Sequence, residues 1–368
     1  MAKRLYLYLK NFDWILFLSV FLLACFGLAE IYSVALGQET VDLLNFKKQV
    51  FFISVGIFLL FFFSFLDYHF LKNSSNYLYI FGIVILILVL FFGKTIRGTK
   101  GWFDFGIMNF QPVELVKIIL IIFLAKFFSA MALQIRPWKH LILSGLGTIA
   151  FAILTLMQPD FGSALILIAV WLIMLALAGF GKKHFLVISL ILATVFSGLW
   201  LFTFKDYQKQ RVLTFLNPAF EPLDQGYNVA QAIIAVGAGG FTGRGLGFGS
   251  QSQLKFLPEA QNDFVFAVIS EELGFLGVLL VMLFFGIFFY RALTSLKKIN
   301  NDFGIFFILG AVGLIFIQMF TNIGMNIGIL PVVGISLPFV SYGGSAILSA
   351  FILAGIMESV IIRSKINY

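Results

Sequence analysis

Apolar runs of roughly 20 residues recur along the chain, separated by short stretches where charges, Gly, Pro and Asn gather. About 20 apolar residues in a helix cross roughly 30 Å of hydrocarbon, so each run is long enough to span a bilayer. The pattern predicts ten spans, over about 13–35, 48–66, 77–93, 112–131, 139–157, 161–178, 184–203, 264–290, 304–326 and 340–362. Barrel strands would alternate apolar and polar positions, and these runs do not. The predicted fold class is an all-α polytopic integral membrane protein of about ten transmembrane helices, a single membrane domain over 1–368. One segment breaks the rhythm. A large extracytoplasmic loop of about 204–263 joins spans seven and eight, and loops of that length are usually functional or disordered. Its own apolar run, Val229–Phe241, is too short to span and suits a re-entrant or interfacial helix.

Charge adds an orientation. The chain is 61% hydrophobic and only 11% charged, well below the roughly 25% of soluble domains. With the N-terminus inside, Lys3, Arg4, Lys10, Lys72, Arg136, Lys139, Lys182, Lys183, Arg291, Lys297, Lys298, Arg363 and Lys365 fall on one side. The short loops opposite carry only Lys47, Lys48, Lys94, Arg97 and Lys100. The positive-inside bias places both termini in the cytoplasm. The net charge of +8 follows from this bias and from attraction to anionic headgroups, so no nucleic-acid partner is expected. The first apolar run is too long for a cleavable signal peptide and lacks a small-residue cleavage site. The single cysteine, Cys25, excludes an internal disulfide and a Cys-based metal site.

Candidate chemistry then narrows by elimination. His69, His140 and His184 all fall in predicted cytoplasmic loops, so the outer face lacks an imidazole for a Ser-His-Asp arrangement or a His-ligated metal. "GGFTGRGLGFG" (Gly239–Gly249) lacks phosphate-loop spacing, and its glycines suit tight turns and close backbone packing. What remains outside are the carboxylates Glu114, Asp160, Glu259 and Asp263, with Arg97, Lys100, Lys117, Arg211, Arg244 and Lys255. Such a set suits an anionic substrate held by cations and a carboxylate general base. In "FQPVELVK", Pro112 fits a first helical turn, Glu114 complements the dipole, and Lys117 shares its face. That pair reads either as a helix-start salt bridge or as the wall of a polar cavity. Asp160 in "MQPDFG" either caps the next helix or serves a site, and Asp263 in "LPEAQNDF" poses the same choice. Gln318, Asn322 and Asn326 form a polar stripe, read as interhelical hydrogen-bond glue. Ser341 and Ser345 in "LPFVSYGGSA" put hydroxyls where a helix N-terminus would meet a phosphate. Glu271 and Glu272 are expected to face the protein interior.

Six blocks in one order carry a resemblance: "FQPVELVK", "QPDFGSALI", "RVLTFLNP", "GYNVAQAIIAVGAGGFTGRGLG", "FLPEAQNDFVFAVISEELG" and "GILPVVGISLPFVSYGGSA". The chain resembles the SEDS family (shape, elongation, division and sporulation), and "SQSQLKFLPE" and "NIGMNIGILPVVGISLPF" are closer to its RodA branch than to FtsW. The resemblance implies a ten-span peptidoglycan glycosyltransferase that polymerises lipid II at the outer face of the bacterial cytoplasmic membrane during elongation and shape maintenance. It also implies a class B penicillin-binding protein as partner and undecaprenyl pyrophosphate as the leaving product. The family's essential aspartate maps onto Asp263, although Gln261 and Asn262 stand where His and Thr are common. Gln111, Glu114, Lys117, Arg97, Lys100, Asp160, Arg211, Glu259, Ser341 and Ser345 are then the substrate-binding candidates. No cofactor is required; a divalent cation, Mg or Mn, would accompany the pyrophosphate. The rival readings are a lipid II flippase, which needs polar groups along the whole crossing, and a non-catalytic scaffold for the penicillin-binding protein.

Overall fold

Each predicted span becomes a helix because its residues can satisfy backbone hydrogen bonds internally, as lipid requires. The computed structural model describes residues 2–36, 42–96, 98–106, 109–131, 137–202, 209, 225–254, 256–257 and 259–366. The long helices are α2 (Trp14–Leu36), α3 (Leu44–Phe65), α5 (Ser75–Phe92), α6 (Pro112–Ser129), α7 (Pro137–Leu156), α8 (Phe161–Leu177), α9 (Lys182–Phe202), α12 (Val265–Ser295), α13 (Asp302–Asn326) and α14 (Gly344–Ile366). Among the described residues, seven are long and apolar enough to cross a membrane by length and composition. The remaining three, α6, α8 and α9, coincide with predicted runs; α6 carries Glu114, Lys117 and Lys126, and α8 has 17 residues. Short helices complete the chain: α1 (Ala2–Asn11), α4 (Tyr68–Asn73), α10 (Gln225–Ala238) and α11 (Ser250–Gln253). The 14-residue α10 matches the expected short helix of the long loop and packs on α12.

The bundle is apolar outside and partly polar inside, the reverse of a soluble domain. Phe58, Phe62, Leu146, Ile153 and Leu283 are exposed, whereas Glu271, Glu272, Glu358, Asn322 and Asn326 are fully enclosed. The expectation for Glu271 and Glu272 therefore holds. Of the seven candidate spans α14 is the most enclosed, packed along α3. Close approach there depends on a missing side chain: a Cβ on Gly355 would lie 2.5 Å from the carbonyl oxygen of Leu60.

One end of the bundle is tied by ion pairs. Arg291 grips Asp13 through Nη2 at 2.6 Å and Nε at 3.1 and 3.2 Å, and the Asp13 N–H donates to Glu358 at 3.1 Å. Arg363 reaches Asp67 at 3.3 Å and the carbonyl of Phe65 at 2.7 Å, while Lys365 donates to the Asn11 carbonyl. Burial pushes the Asp67 carboxyl up, but hydrogen bonds from the His69 backbone and ring, with the Arg363 guanidinium, bring it below its ordinary value. At the opposite end a small antiparallel sheet replaces what the sequence pattern left as a loop. Its strands β1 (Lys94–Ile96), β2 (Thr99–Asp104) and β3 (Asn109–Phe110) pair in order, with Lys94 opposite Trp102 and Phe103 opposite Phe110.

Candidate active site

Four segments converge at the sheet end of the bundle: the start of α6, the α7–α8 turn, the turn before α12, and the segment from α13 to α14. Pro112 occupies the first turn of α6, and Gln111 precedes it in an extended conformation. One turn in, Lys117 Nζ donates to Glu114 Oε1 at 2.7 Å, and both side chains are almost entirely enclosed. Asp160 does two jobs. Its Oδ1 accepts the Ser163 N–H at 2.9 Å and caps α8, while Oδ2 accepts Gln111 Nε2 at 3.1 Å. Burial pushes the Asp160 carboxyl above its ordinary value, against the pull of Ser163 and Lys117. Ser345 Oγ accepts the Gln111 N–H at 2.8 Å and donates to the Asn109 carbonyl at 3.2 Å, joining α14 to β3 and α6.

Asp263 sits in a tight turn that Glu259 organises. The Glu259 carbonyl accepts the N–H groups of Asn262 and Phe264, its carboxylate accepts Asn262 Nδ2 at 2.6 Å, and its φ is +54°. Helix α12 begins after this turn, and its N-cap position is taken by Phe264. The carbonyl of Asp263 accepts Asn322 Nδ2 at 2.9 Å and Asn326 Nδ2 at 3.0 Å. Asn322 Nδ2 also reaches the Ile335 carbonyl at 2.7 Å, and Asn326 Oδ1 accepts the Ala267 N–H at 3.1 Å. Two members of the polar stripe of α13, Asn322 and Asn326, are interhelical glue of a specific kind: they hold the turn that carries Asp263. Ser341 Oγ braces the same turn, donating to the Asn262 carbonyl at 2.7 Å and accepting the Leu337 N–H at 2.8 Å.

These segments enclose a cavity of about 380 Å³ whose wall includes Gln111, Glu114, Lys117, Asp160, Asp263 and Ser345. Six predicted residues from four parts of the chain thus share one space. The wall also includes Lys48, Trp102, Asn262 and Tyr342. Sequence reasoning counted Lys48 with a loop, but it is the fifth residue of α3. Trp102 carried no signal until β2 brought it to the cavity. Burial raises the Tyr342 phenol above its ordinary value, favouring the neutral hydroxyl. A Cβ on Gly334 would approach Asp263 Oδ2 to 3.7 Å, which places that carboxylate against the α13–α14 segment. A second, narrow cavity of about 20 Å³ shares Glu114 and Lys117 with the first and is lined also by Ser341, Gln318 and Ser349.

Other candidates lie elsewhere. Lys100 pins the sheet to the end of α7: its N–H donates to the Gln158 carbonyl, and Nζ lies 3.5 Å from the Phe91 carbonyl. Glu259 is exposed and shapes the turn, and Ser341 lines the second, narrow cavity. Arg244 is engaged by Ser250 Oγ at 3.1 Å. Arg97, Arg211 and Lys255 lie outside the described residues. Among the described residues, no group of three or more His, Cys, Asp or Glu converges in a way that would hold a metal ion.

A family model described as "Cell cycle protein", covering FtsW, RodA and SpoVE, matches residues 13–366. Stage V sporulation protein E of Bacillus subtilis (strain 168) is 35% identical over 357 residues, 95% of this chain and 96% of that protein. Peptidoglycan glycosyltransferase MrdB of Escherichia coli (strain K12) is 38% identical over 292 residues, 78% of each. A chain solved in work on the coordination of polymerization and crosslinking by a peptidoglycan synthase complex superposes with a TM-score of 0.81. It is 29% identical, and the match covers 97% of this chain and 98% of that one. The rod shape determining protein RodA of Thermus thermophilus superposes with a TM-score of 0.71 at 26% identity, with the same coverage.

Proposed function

The chain belongs to the FtsW/RodA/SpoVE family of cell cycle proteins, and we propose that it is a peptidoglycan glycosyltransferase with its reaction centre in the cavity beside Asp263. It is a multi-pass protein of the bacterial cytoplasmic membrane. One observation carries the site assignment: the cavity joins a carboxylate on a non-helical turn to a buried Glu114–Lys117 pair, all at one end of the bundle. The positive-inside bias assigns that end to the outer face and both termini to the cytoplasm.

The substrate is lipid II. Asp263 accepts the proton of the acceptor sugar's C4 hydroxyl as that oxygen attacks the donor's anomeric carbon. The new glycosidic bond forms as the bond to phosphate breaks, its electron pair leaving with undecaprenyl pyrophosphate and the anomeric centre inverted. A carboxylate suits this role because only one proton moves and the leaving group departs as an anion. Lys117 faces the charge that develops on the pyrophosphate, with Arg97, Lys100 and Arg211 as further cations of the same face. Glu114 fixes Lys117, while Gln111, Asp160 and Ser345 present polar groups to the sugars. A divalent cation would enter with the pyrophosphate.

The partner is a class B penicillin-binding protein, a reading supported by the similarity to a chain of a peptidoglycan synthase complex. The closeness of its motifs to the RodA branch supports a role in elongation. Purified protein, with and without that partner, should make glycan strands from lipid II in detergent. The strands should vanish in Asp263→Ala while the protein stays folded. Synthesis that survives the substitution removes the proposed base, and lipid scrambling in liposomes without polymerisation favours a flippase.

A further inference from the structure

Gln318 is the member of the α13 stripe that the turn at Asp263 leaves unused. Asn322 and Asn326 spend their amides on backbone groups across the bundle. Gln318 lies one turn nearer the start of α13, is 7% exposed, and lines the narrow cavity. Ser349 of α14, also 7% exposed, lines the same space. Elsewhere in the bundle Ser144, Thr155 and Ser270 turn their hydroxyls back onto a carbonyl of the preceding turn. Ser349 does not. Among the described residues, no protein group hydrogen-bonds either its hydroxyl or the Gln318 amide. Two enclosed polar side chains thus border one small space whose wall is otherwise largely hydrocarbon, with Leu314, Phe339 and Leu353. Enclosed polar groups need partners.

Lys117 borders that space from α6, and it borders the larger cavity too. An ammonium carries three N–H donors that point in different directions. One goes to Glu114 Oε1 at 2.7 Å, the single protein acceptor of Nζ among the described residues. A second can meet an anion in the larger cavity, and the third is left for the inner side. The narrow cavity measures about 20 Å³. One water needs at least about 10–15 Å³ and two to four polar partners, whereas a sugar ring needs far more room. We propose that the narrow cavity is a water site in which one molecule accepts an N–H of Lys117 and donates to Gln318 Oε1 and Ser349 Oγ. Gln318 and Ser349 are then positioning residues, acting through Lys117 without touching substrate. This rests on the reading of Lys117 as the cation that faces the pyrophosphate. The water fixes the ammonium from behind, so that it holds its place as charge develops in front of it.

The test uses Gln318→Met and Ser349→Ala, each of which removes one partner of the water with little change of shape. The full-length protein, with and without the penicillin-binding protein, is given lipid II in detergent, and kcat and KM are measured beside a thermal melt. Each variant should lower kcat about 10-fold, the scale of one hydrogen bond to a charged group. KM should stay unchanged, because charge gathers on the pyrophosphate only as its bond to the sugar breaks. The double variant should fall little further than the larger single one, since both changes release the same water. A cryo-EM map that resolves ordered water should show one molecule bonded to Lys117 Nζ, Gln318 and Ser349, and Gln318→Met should lose it. Additive losses of melting temperature at wild-type kcat per folded molecule mark a merely structural role and overturn the inference. So does a map in which Nζ bonds Gln318 or Ser349 directly, or in which the narrow cavity is dry. If Lys117→Met is inactive while Gln318→Met and Ser349→Ala keep wild-type kcat, the positioning fails and the reading of Lys117 stands. If Lys117→Met still makes strands at the wild-type rate, the reading of Lys117 fails and the positioning with it.

Discussion

Asp263 and the pair Glu271–Glu272 lie about two turns apart at the start of α12, and the protein treats them in opposite ways. Glu271 accepts the N–H groups of Gln251 at 2.8 Å and Ser252 at 3.1 Å, with Ser250 Oγ at 3.3 Å. Glu272 accepts Gln253 Nε2 at 2.8 Å, the Gly247 N–H at 3.1 Å, Ser252 Oγ at 3.3 Å and the hydroxyl of Ser33. The glycine-rich loop closes over these carboxylates and also repairs α12, which breaks at Gly274 with φ 65° and ψ −160°. Across that break, the N–H groups of Arg244 and Gly245 donate to the carbonyls of Glu271 and Glu272. Those of Phe275 and Leu276 donate to the carbonyls of Gly240 and Phe241. At Asp263, Asn322 and Asn326 donate to the backbone carbonyl, and the carboxylate lines a cavity with Lys117, Glu114 and Asp160. A carboxylate at membrane depth therefore does not by itself mark chemistry. What separates the two groups is place: the glycine-rich loop closes over the oxygens of Glu271 and Glu272, whereas Asp263 borders a space that a substrate can enter.

The sharpest way to break this comparison is at its two poles. Asp263→Asn should reduce strand synthesis by about 10²–10⁴-fold, the usual contribution of a general base, at an unchanged melting temperature. A comparable fall in melting temperature would place Asp263 among the structural carboxylates. Next in size is the buried pair. Glu114→Gln leaves the Lys117 ammonium enclosed without its counter-charge, a cost of about 3–5 kcal/mol by denaturant unfolding in detergent. Glu114→Gln combined with Lys117→Met should recover much of that stability and none of the activity, which separates the fold's need for the pair from the reaction's.

At the structural pole, Glu272→Gln forces an amide N–H toward donors and should cost about 1–3 kcal/mol. Its kcat per folded molecule should stay at the wild-type value; a lowered kcat at full stability would bring Glu272 into the reaction. The smallest effect concerns pH. The Asp160 carboxyl is raised in the folded protein, so its contribution to stability is complete below the unfolded value of about 3.9 and is lost as pH rises through the folded one. Asp160→Asn should therefore flatten the decline in melting temperature from about pH 4 upward. An unaltered slope would remove Asp160 as its source.

Much of the fold was legible because each span is a continuous apolar run, and the observed helices begin and end within a few residues of the predicted ones. The β1–β3 sheet was not. Its strands are two to six residues long, and their exposure does not alternate regularly, so no period-two pattern marks them. Gly274 was equally hidden, since the apolar run continues through the break and its hydrogen-bond partners lie some thirty residues earlier. Within the site, spacing alone announced the Glu114–Lys117 pair. Asp160 posed a choice between cap and site; it caps α8 and also lines the cavity, while the N-cap position of α12 is Phe264, not Asp263. The same turn accommodates the departure from the family pattern. Gln261 Oε1 accepts Asn45 Nδ2 at 2.8 Å, and Asn262 binds Glu259, so both side chains fasten the turn where an imidazole and a hydroxyl are usual.

The sequence by itself determined that this is a helical membrane protein, how its helices alternate, and which carboxylates and cations sit near their ends, because hydrophobic length and charge are local properties of the chain. Only the tertiary structure decided which of those groups meet. Gln111, Asp160 and Ser345 come from three helices, and the turn that holds Asp263 is set by an asparagine 63 residues away. The physical reason is that a buried polar group must find partners, and those partners can come from any helix that the packing brings near. Pairing across the bundle thus sets some carboxylates, such as Glu271 and Glu272, to fasten the fold and brings others, Glu114, Asp160 and Asp263, to one cavity.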